Sequence, residues 1–427
     1  GPQKWQMHTL NASLSKCNVL YDHASMVASF QDYEESRHDR KLNKDNIRER
    51  TEKVNVYSFN ADFEKRINEN DILYYGGEWT FNNLNSKGHE RNIQTGEKNL
   101  IGSRYPDDSE YNSLAFYTNY KKVFSDQLTL NGGIRYSWIR IDAQLDPTFY
   151  EFPFQNLDLN TGAFNGSLGV VYHPEPSWEI KMNASSGFRA PNIDDIGKVF
   201  DSEPGKVVVP NADLDPEFAY NLDLGVKKNF NDRVIVELSG FYTLLKDALV
   251  RRDFTFNGET TLMYDGVLSE VQAIVNADEA KIYGLYFGTH AQLFGPLTFR
   301  SHLNLTHGEL EDGSPVRHVP PMFGSMHLEY LSSKFKTELY TLFNGKLENK
   351  DLASSEQDKP HIYALDKNGD PYSPGWMTLN FRSTYNLTSK IRMNLALENI
   401  CNKRYRPYSS GIVAPGRNLI LGLEWRI

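Results

Sequence analysis

Two cysteines, Cys17 and Cys401, are the only thiols in 427 residues. So few exclude a disulfide scaffold, and neither sits in a CxxC zinc spacing. Basic residues are also scarce. Lys and Arg total 46 against 55 Asp and Glu, a net charge of −9. No basic face is available to neutralise nucleic-acid phosphates. No apolar run approaches the ~18 residues of a transmembrane helix. The signatures GxSxG, HExxH, GxxxxGK[ST] and the EF-hand loop are missing, and no Ser/His/Asp set stands out. No enzyme activity, catalytic residue, cofactor or metal ligand is therefore expected. Apolar content is not short: hydrophobic residues make up 39% and aromatics 13%, too much for a disordered chain. Two classes remain, a large soluble β protein and a membrane β-barrel. A barrel hides its apolar residues at every second position.

Period two is what the chain has in place of long apolar runs. Leu128, Leu130, Ile134, Tyr136 and Trp138 alternate with Thr129, Asn131, Arg135 and Ser137. Val234, Val236, Leu238, Tyr242 and Leu244 alternate with Glu237, Ser239 and Thr243. Met377 to Leu387, Ile391 to Leu397 and Leu419 to Ile427 repeat the pattern. A helix would scatter these side chains around its circumference. Charged and amide residues in the middle of long strands suit a wet lumen. Trp138, Tyr136, Tyr385 and Trp425 near strand ends suit interfacial girdles.

Connection lengths alternate too. Short turns fall near 18–22, 68–70, 125–126, 174–177, 231–232, 295–296, 332–334 and 388–390. Long polar loops fall at 37–47, 86–108, 144–162, 189–214, 251–276, 308–320, 345–374 and 401–415. Short turns on one side and long loops on the other mark an outer-membrane barrel, and a soluble sandwich has no reason to sort its loops this way. The fold class is therefore all-β, a transmembrane antiparallel β-barrel with roughly 17 strands in this chain. Bacterial barrels have an even strand number with both termini periplasmic. An odd count places the start of this chain outside, so residues 1–427 are expected to be the C-terminal part of one barrel domain, with earlier strands upstream. Gly1-Pro2 is either native sequence or a protease scar. Cys17 lies near a short turn and Cys401 opens a long loop, roughly 25 Å or more apart across a membrane-spanning strand. A disulfide needs Cα atoms within ~7 Å, so none is expected between them.

Three stretches resemble the TonB-dependent outer-membrane receptors. The first is Ser186-Gly187-Phe188-Arg189-Ala190-Pro191-Asn192. The second, Val209-Pro210-Asn211-Ala212-Asp213-Leu214-Asp215-Pro216-Glu217, is similar to the family's Asn-Pro-x-Leu-x-Pro-Glu box, with Ala212 where Pro is usual and Asp215 where Lys is common. The third runs from Leu397-Glu398-Asn399-Ile400 to Tyr405, then Ser410-Gly411 and Pro415-Gly416-Arg417 into the closing strand. The family usually ends in Phe, whereas this chain ends Trp425-Arg426-Ile427. The resemblance implies a barrel of about 22 strands closed by an N-terminal plug, with a segment that binds TonB. Plug, TonB segment and about five strands would lie upstream of this chain. The implied function is TonB-driven uptake of a scarce, bulky nutrient across a Gram-negative outer membrane. A ferric siderophore or other iron chelate comes first; haem, cobalamin, oligosaccharide and peptide follow. Haem receptors of the family carry a His between the first two boxes, and residues 192–209 contain none. Rival readings are a passive porin-like channel and an adhesive barrel. Partners so implied are the TonB complex, the chain's own plug and N-terminal strands, lipopolysaccharide and the membrane, and a surface lipoprotein, with no nucleic acid.

Ligand residues are sought in the outer loops, where Arg, Tyr and Phe occur together. Arg104, Tyr105, Phe200, Arg251, Arg252, Tyr264, His318, Tyr363, Arg406 and Tyr408 are the candidates. Arg clamps carboxylate-like anions and aromatics cover apolar ligand surface. The competing reading makes the aromatics girdle residues and the arginines partners of lipopolysaccharide or neighbouring acids. His307, His318 and His361 read first as solvated loop residues, and His302 and His327 as lumen or interface residues. Asp194-Asp195 reads as a solvated pair. Arg189 and Pro191 are expected to shape the rim. Arg382 and Glu398 point inward.

Overall fold

A computed structural model describes residues 3–203, 205–357, 359 and 361–426. Gly1, Pro2 and the terminal Ile427, on which two of the expectations above bear, lie outside the described residues. One sheet of 21 strands accounts for almost the whole chain. Seventeen of its strands are eight residues or longer and form the wall. The first eight are Gln3–Ser15, His23–Asp39, Asn46–Arg66, Asp71–Asn92, Ser109–Ser125, Leu128–Gln144, Asn156–Tyr172 and Trp178–Arg189. Glu217–Phe230, Val234–Asp253, Val267–Phe294, Leu297–Leu310 and Phe323–Leu331 follow. Phe335–Asn344, Trp376–Asn386, Ile391–Glu398 and Asn418–Trp425 complete the wall. Each pairs antiparallel with its chain neighbour, so the wall is a meander. The expected strand count and the sorting of turns and loops both hold.

Alternation explains the wall. On one face Leu222, Leu224, Leu238, Tyr242, Leu285 and Phe287 stand exposed toward lipid. On the other, polar partners meet across the ladder: Asp62 accepts from the Tyr117 hydroxyl, Glu78 from Arg135, and Asn221 from Thr243 at 2.6 Å. Backbone groups in lipid have no water to turn to, so pairing must be complete there. Two strands break this rule. Every residue of Gln3–Ser15 is exposed, and it pairs only with His23–Asp39. Asn418–Trp425 pairs only with Ile391–Glu398. Both therefore present a free edge among the described residues.

The remaining strands of the sheet are short and sit above the wall: Lys98–Ile101, Phe200–Glu203, Lys206–Val208 and Thr261–Tyr264. Lys206–Val208 runs parallel to the outer part of Val267–Phe294. The hydrophobic core lies here too. Val199, Val207, Val209, Phe256, Tyr264, Val271 and Ala273 form one cluster. Ile141, Leu145, Leu157, Ile196 and Leu214 form another. A single-layer wall has no second sheet to pack against, so apolar burial concentrates where loops fold over one another. Parts of the expected loops are strand: Asp71–Asn92, Asn156–Tyr172 and Val267–Phe294 all rise well past the apolar band. There no apolar layer faces the wall and side chains such as Leu157, Val271 and Ala273 pack under the loops, so the apolar alternation fades while the ladder continues, since its bonds need no particular side chain.

Candidate ligand vestibule

The receptor-like boxes build the rim. Arg189 ends its strand and donates to Asp195 at 2.7 Å and to Glu217 at 3.1 Å. Asn192 caps the short helix Ile193–Ile196, accepting from the amides of Asp194 and Asp195, while Asp195 accepts from the Asn192 amide. This reciprocal box satisfies otherwise orphaned amides. Buried Asn211 donates to the Ile274 carbonyl at 2.8 Å. The acidic pair is not simply solvated, a correction to the sequence reading. Asp194 accepts from the Tyr105 hydroxyl at 2.6 Å and from Lys198. Burial raises its carboxyl, but those two donors outweigh it and hold it below its ordinary value. Tyr105 comes from a loop 89 positions away, which is why the sequence hid it, whereas Lys198 is only four residues on.

Three candidates converge around that pair. The Arg104 guanidinium lies 5.0 Å from the Tyr105 ring and 5.1 Å from the Phe200 ring. Arg37 and Lys198 also face Phe200, at 6.0 and 5.0 Å. One aromatic ring thus gathers three cations, an arrangement that cation–π attraction favours. Beneath them Glu52 is buried, 4.0 Å from Arg104. Burial pushes its carboxyl up against the pull of Arg104 and Arg37, and neither oxygen has a hydrogen-bond partner among the described residues. Burial and Asp194 push the Tyr105 phenol well up. A compact wall of aromatic rings and paired charges results, with Arg37 on Glu35, Arg104 on Glu52 and Lys198 on Asp194.

Tyr264 lies apart from these residues. It is buried in the loop core against Tyr150, ring centroids 6.1 Å apart. Its neighbour Asp265 does the polar work, taking Arg50 at 3.1 Å and Arg48. Arg252 is half exposed and 3.9 Å from Asp312, and Arg251 faces Ile274 in the ladder.

Tyr363, Tyr408, His318 and Arg406 meet in a second group, between loops 345–375 and 399–417. Tyr363 and Tyr408 donate to Glu356, at 2.6 and 3.1 Å. His318 Nδ1 is 3.9 Å from the same carboxylate and 3.2 Å from the Ser409 hydroxyl. Arg406 donates to the carbonyls of His361 and Ile362, so it fixes backbone. Glu356 is 2% exposed and was missed by the sequence reading. Nothing local distinguishes it from other loop acids.

The lumen wall holds a relay also missed as a set. His302 Nδ1 lies 3.0 Å from Ser325 Oγ, which lies 2.7 Å from His327 Nε2. His327 Nδ1 lies 2.7 Å from Glu338, which also takes Arg300 at 3.1 Å and Arg382. Ser, His and Glu stand here in nucleophile–base–acid order, a pattern that geometry rather than spacing reveals. Ser325 and Glu338 are each 1% exposed, and a second imidazole occupies the hydroxyl. The set reads as a ladder of wall contacts. The inward placement expected of Arg382 holds, and His302 and His327 lie on the lumen side. Both cysteines are free thiols.

A family model described as TonB dependent receptor-like, beta-barrel, matches residues 2–400. An iron-regulated outer membrane virulence protein of Vibrio cholerae serotype O1 is 24% identical over 277 residues, covering 62% of this chain and 40% of that protein. The chain thus spans well under half of the curated relatives it matches. Among solved structures, the copper transporter OprC superimposes with a TM-score of 0.80 at 13% identity, covering 99% of this chain and 65% of that one. The siderophore receptor PirA from Acinetobacter baumannii gives 0.73 at 14% identity, with 99% and 62% covered. The Serratia marcescens hemophore receptor HasR gives 0.74 at 14%, with 100% and 66% covered. At these identities the structural likeness concerns the fold.

Proposed function

Because the chain belongs to the TonB dependent receptor-like β-barrel family of the Gram-negative outer membrane, we propose that it is the wall and outer vestibule of a receptor for TonB-dependent uptake of an iron chelate, foremost a ferric siderophore. The observation that carries this is the vestibule itself: Phe200 ringed by Arg37, Arg104 and Lys198 at 5.0–6.0 Å. An anionic, aromatic chelate needs such cations for its charge and rings for its apolar faces. Tyr105 and Phe200 provide the surface, and Arg104 provides charge-assisted bonds. Arg251 and Arg252 extend the basic rim. Tyr264 supports from below, and Tyr363, Tyr408, His318 and Arg406 form the opposite loop group. The iron regulation in the name of the Vibrio cholerae relative supports iron as the cargo metal.

The free edges of Gln3–Ser15 and Asn418–Trp425 would be closed by further strands of the same receptor, since an unpaired edge in lipid costs several kcal/mol per group. A plug in the lumen would meet Arg300, Arg382 and their neighbours on the wall. TonB would act on that plug through its own segment, and lipopolysaccharide and a surface lipoprotein are further partners of the outer face.

Titration of the detergent-solubilised receptor with a ferric catecholate, followed by tryptophan fluorescence, tests the reading. Saturable quenching, lost in R104A, together with TonB-dependent growth on that chelate under iron limitation, is expected. Steady conductance with no saturable chelate binding overturns it in favour of a porin-like channel.

A further inference from the structure

We propose that a cleft between loops 345–375 and 399–417 binds a small aromatic carboxylate. Lys403 and Arg404 take its charge, and the rings of Trp376 and Tyr405 cover its flat body. The site stands apart from the Arg104 group and does not rest on the chelate reading. One wall belongs to the third receptor-like box, Leu397 to Tyr405, which neither the rim nor the vestibule uses.

Space comes first. The cleft has a volume of about 270 Å³, just under the roughly 300–1,000 Å³ of drug-sized sites, so its occupant is small. Trp376 opens the strand Trp376–Asn386 and shares the inward parity of Arg382. Tyr405 comes from the loop beyond Ile391–Glu398, and the two rings lie 4.2 Å apart at 33°. Ile362, Val413, Pro374 and Pro407 add apolar wall. Aromatic pairs flanked by such side chains favour a flat apolar guest.

Charge comes second, and it has one sign. Lys403, Arg404 and Arg406 line the cleft, and no Asp or Glu among the described residues does. Arg406 is committed to the carbonyls of His361 and Ile362. Lys403 and Arg404 are exposed, and neither has an acidic partner among the described residues. Arg37, Arg104 and Lys198 differ in this respect, since each faces a carboxylate. Two acids stand outside the lining. Glu356 accepts from Tyr363 and Tyr408, and Glu398 accepts from Asn418 at 3.4 Å. A carboxylate on a ligand therefore meets two cations and no competing acid, and Arg404 can take it bidentately.

Two further features point the same way. Trp376 Nε1 is buried and has no hydrogen-bond partner among the described residues. Such a donor is uncommon in a folded protein and calls for an acceptor. Because no bond holds it, a small turn of the indole about its broad χ2 well brings it to a carboxylate oxygen. The loop that carries the cations is also fixed in advance. The side chain of buried Asn399 accepts from the Lys403 amide at 2.8 Å and donates to the carbonyls of Lys403 and Pro415, at 2.8 and 3.2 Å. Arg417 donates to the Ile400 carbonyl at 2.9 Å, and the Ala414 amide donates to the Tyr405 carbonyl at 3.0 Å. A wall ordered beforehand loses less freedom when a ligand arrives.

The probe is para-fluorobenzoate, followed by fluorine NMR with the receptor purified from outer membranes in detergent and with protein-free micelles as the blank. Saturable broadening that unlabelled benzoate displaces and added salt weakens is expected. The neutral isostere para-fluorobenzamide should bind about tenfold more weakly. K403A combined with R404A should weaken the benzoate by about tenfold or more. W376F keeps a ring and removes the N–H, and should weaken it about threefold to tenfold. Heat-modifiable migration on gels verifies that each variant keeps its barrel. No saturable broadening in the parent protein overturns the proposal. So does binding of the amide equal to that of the benzoate, or binding unchanged in the double variant. Displacement by inorganic phosphate as complete as by benzoate overturns it in favour of a bare-anion site.

Discussion

Arg189 and Glu217 face each other across the ladder between Trp178–Arg189 and Glu217–Phe230, 3.1 Å apart, and the same guanidinium holds Asp195 at 2.7 Å. Two receptor-like boxes 28 positions apart are thus one structural device. Their arginine fastens the rim and does not face the vestibule. R189A should loosen residues 190–216 by about 1–2 kcal/mol, as expected of a charge-assisted pair half open to water. Hydrogen exchange of the Ile193–Ile196 amides is the measurement. R189K, which cannot bind bidentately, should fall in between.

Glu338 sits buried between Arg300, Arg382 and His327. E338A leaves two guanidiniums near each other without their shared anion. The expected loss is about 1–3 kcal/mol, below that of a fully buried pair because both arginines still touch water. A lower heat-modification temperature in detergent is the readout. E338Q should lose less, since it keeps the hydrogen-bonded shape.

In the vestibule, F200A removes the ring that Arg37, Arg104 and Lys198 share. Chelate affinity should fall about tenfold, equal to ~1.4 kcal/mol, with most of the change in the off-rate. R104A should fall further and also flatten the salt dependence of the on-rate. Stopped-flow quenching at two ionic strengths checks both.

Asp22 sets an acid limit for the turn at 16–22. The Cys17 thiol, Lys65 and the Arg66 amide all donate to it and hold its carboxyl down at about 2, from an ordinary 3.8. A depressed carboxyl pKa stabilises above the unfolded value and is lost as pH falls through the folded one. Protection of the Arg66 amide should therefore persist at neutral pH and vanish between about 4 and about 2, and D22N should lack that transition. The same contact pushes the Cys17 thiol up. Alkylation of Cys17 should be slow at pH 8 and faster in D22N.

Much of the wall was legible in the sequence, since alternation such as Val234, Val236 and Leu238 against Glu237 and Ser239 follows from one face meeting lipid. Turn and loop lengths gave the topology. Above the apolar band the signal fails. Residues 267–276 continue a strand, yet their side chains serve loop packing and read as loop. The site was legible by residue type and not by grouping. Arg104, Tyr105 and Phe200 meet, but Tyr264 is core, and Glu356 and Arg37 became visible only when separate loops were folded together. Ser325, His327 and Glu338 likewise depend on register between strands.

Strand length is uneven around the wall. Val267–Phe294 has 28 residues and Asp71–Asn92 has 22, whereas Ile391–Glu398 and Asn418–Trp425 have eight each. At about 3.3 Å per residue that is roughly 90 Å of strand against roughly 26 Å. The periplasmic turns are short throughout, so the surplus rises outward. The mouth is cut on a slant: one side stands as a parapet, and the other is a low sill covered by residues 345–375 and 399–417. A solute arriving from outside comes level with the cation-bearing parapet before it reaches the phenol-lined sill.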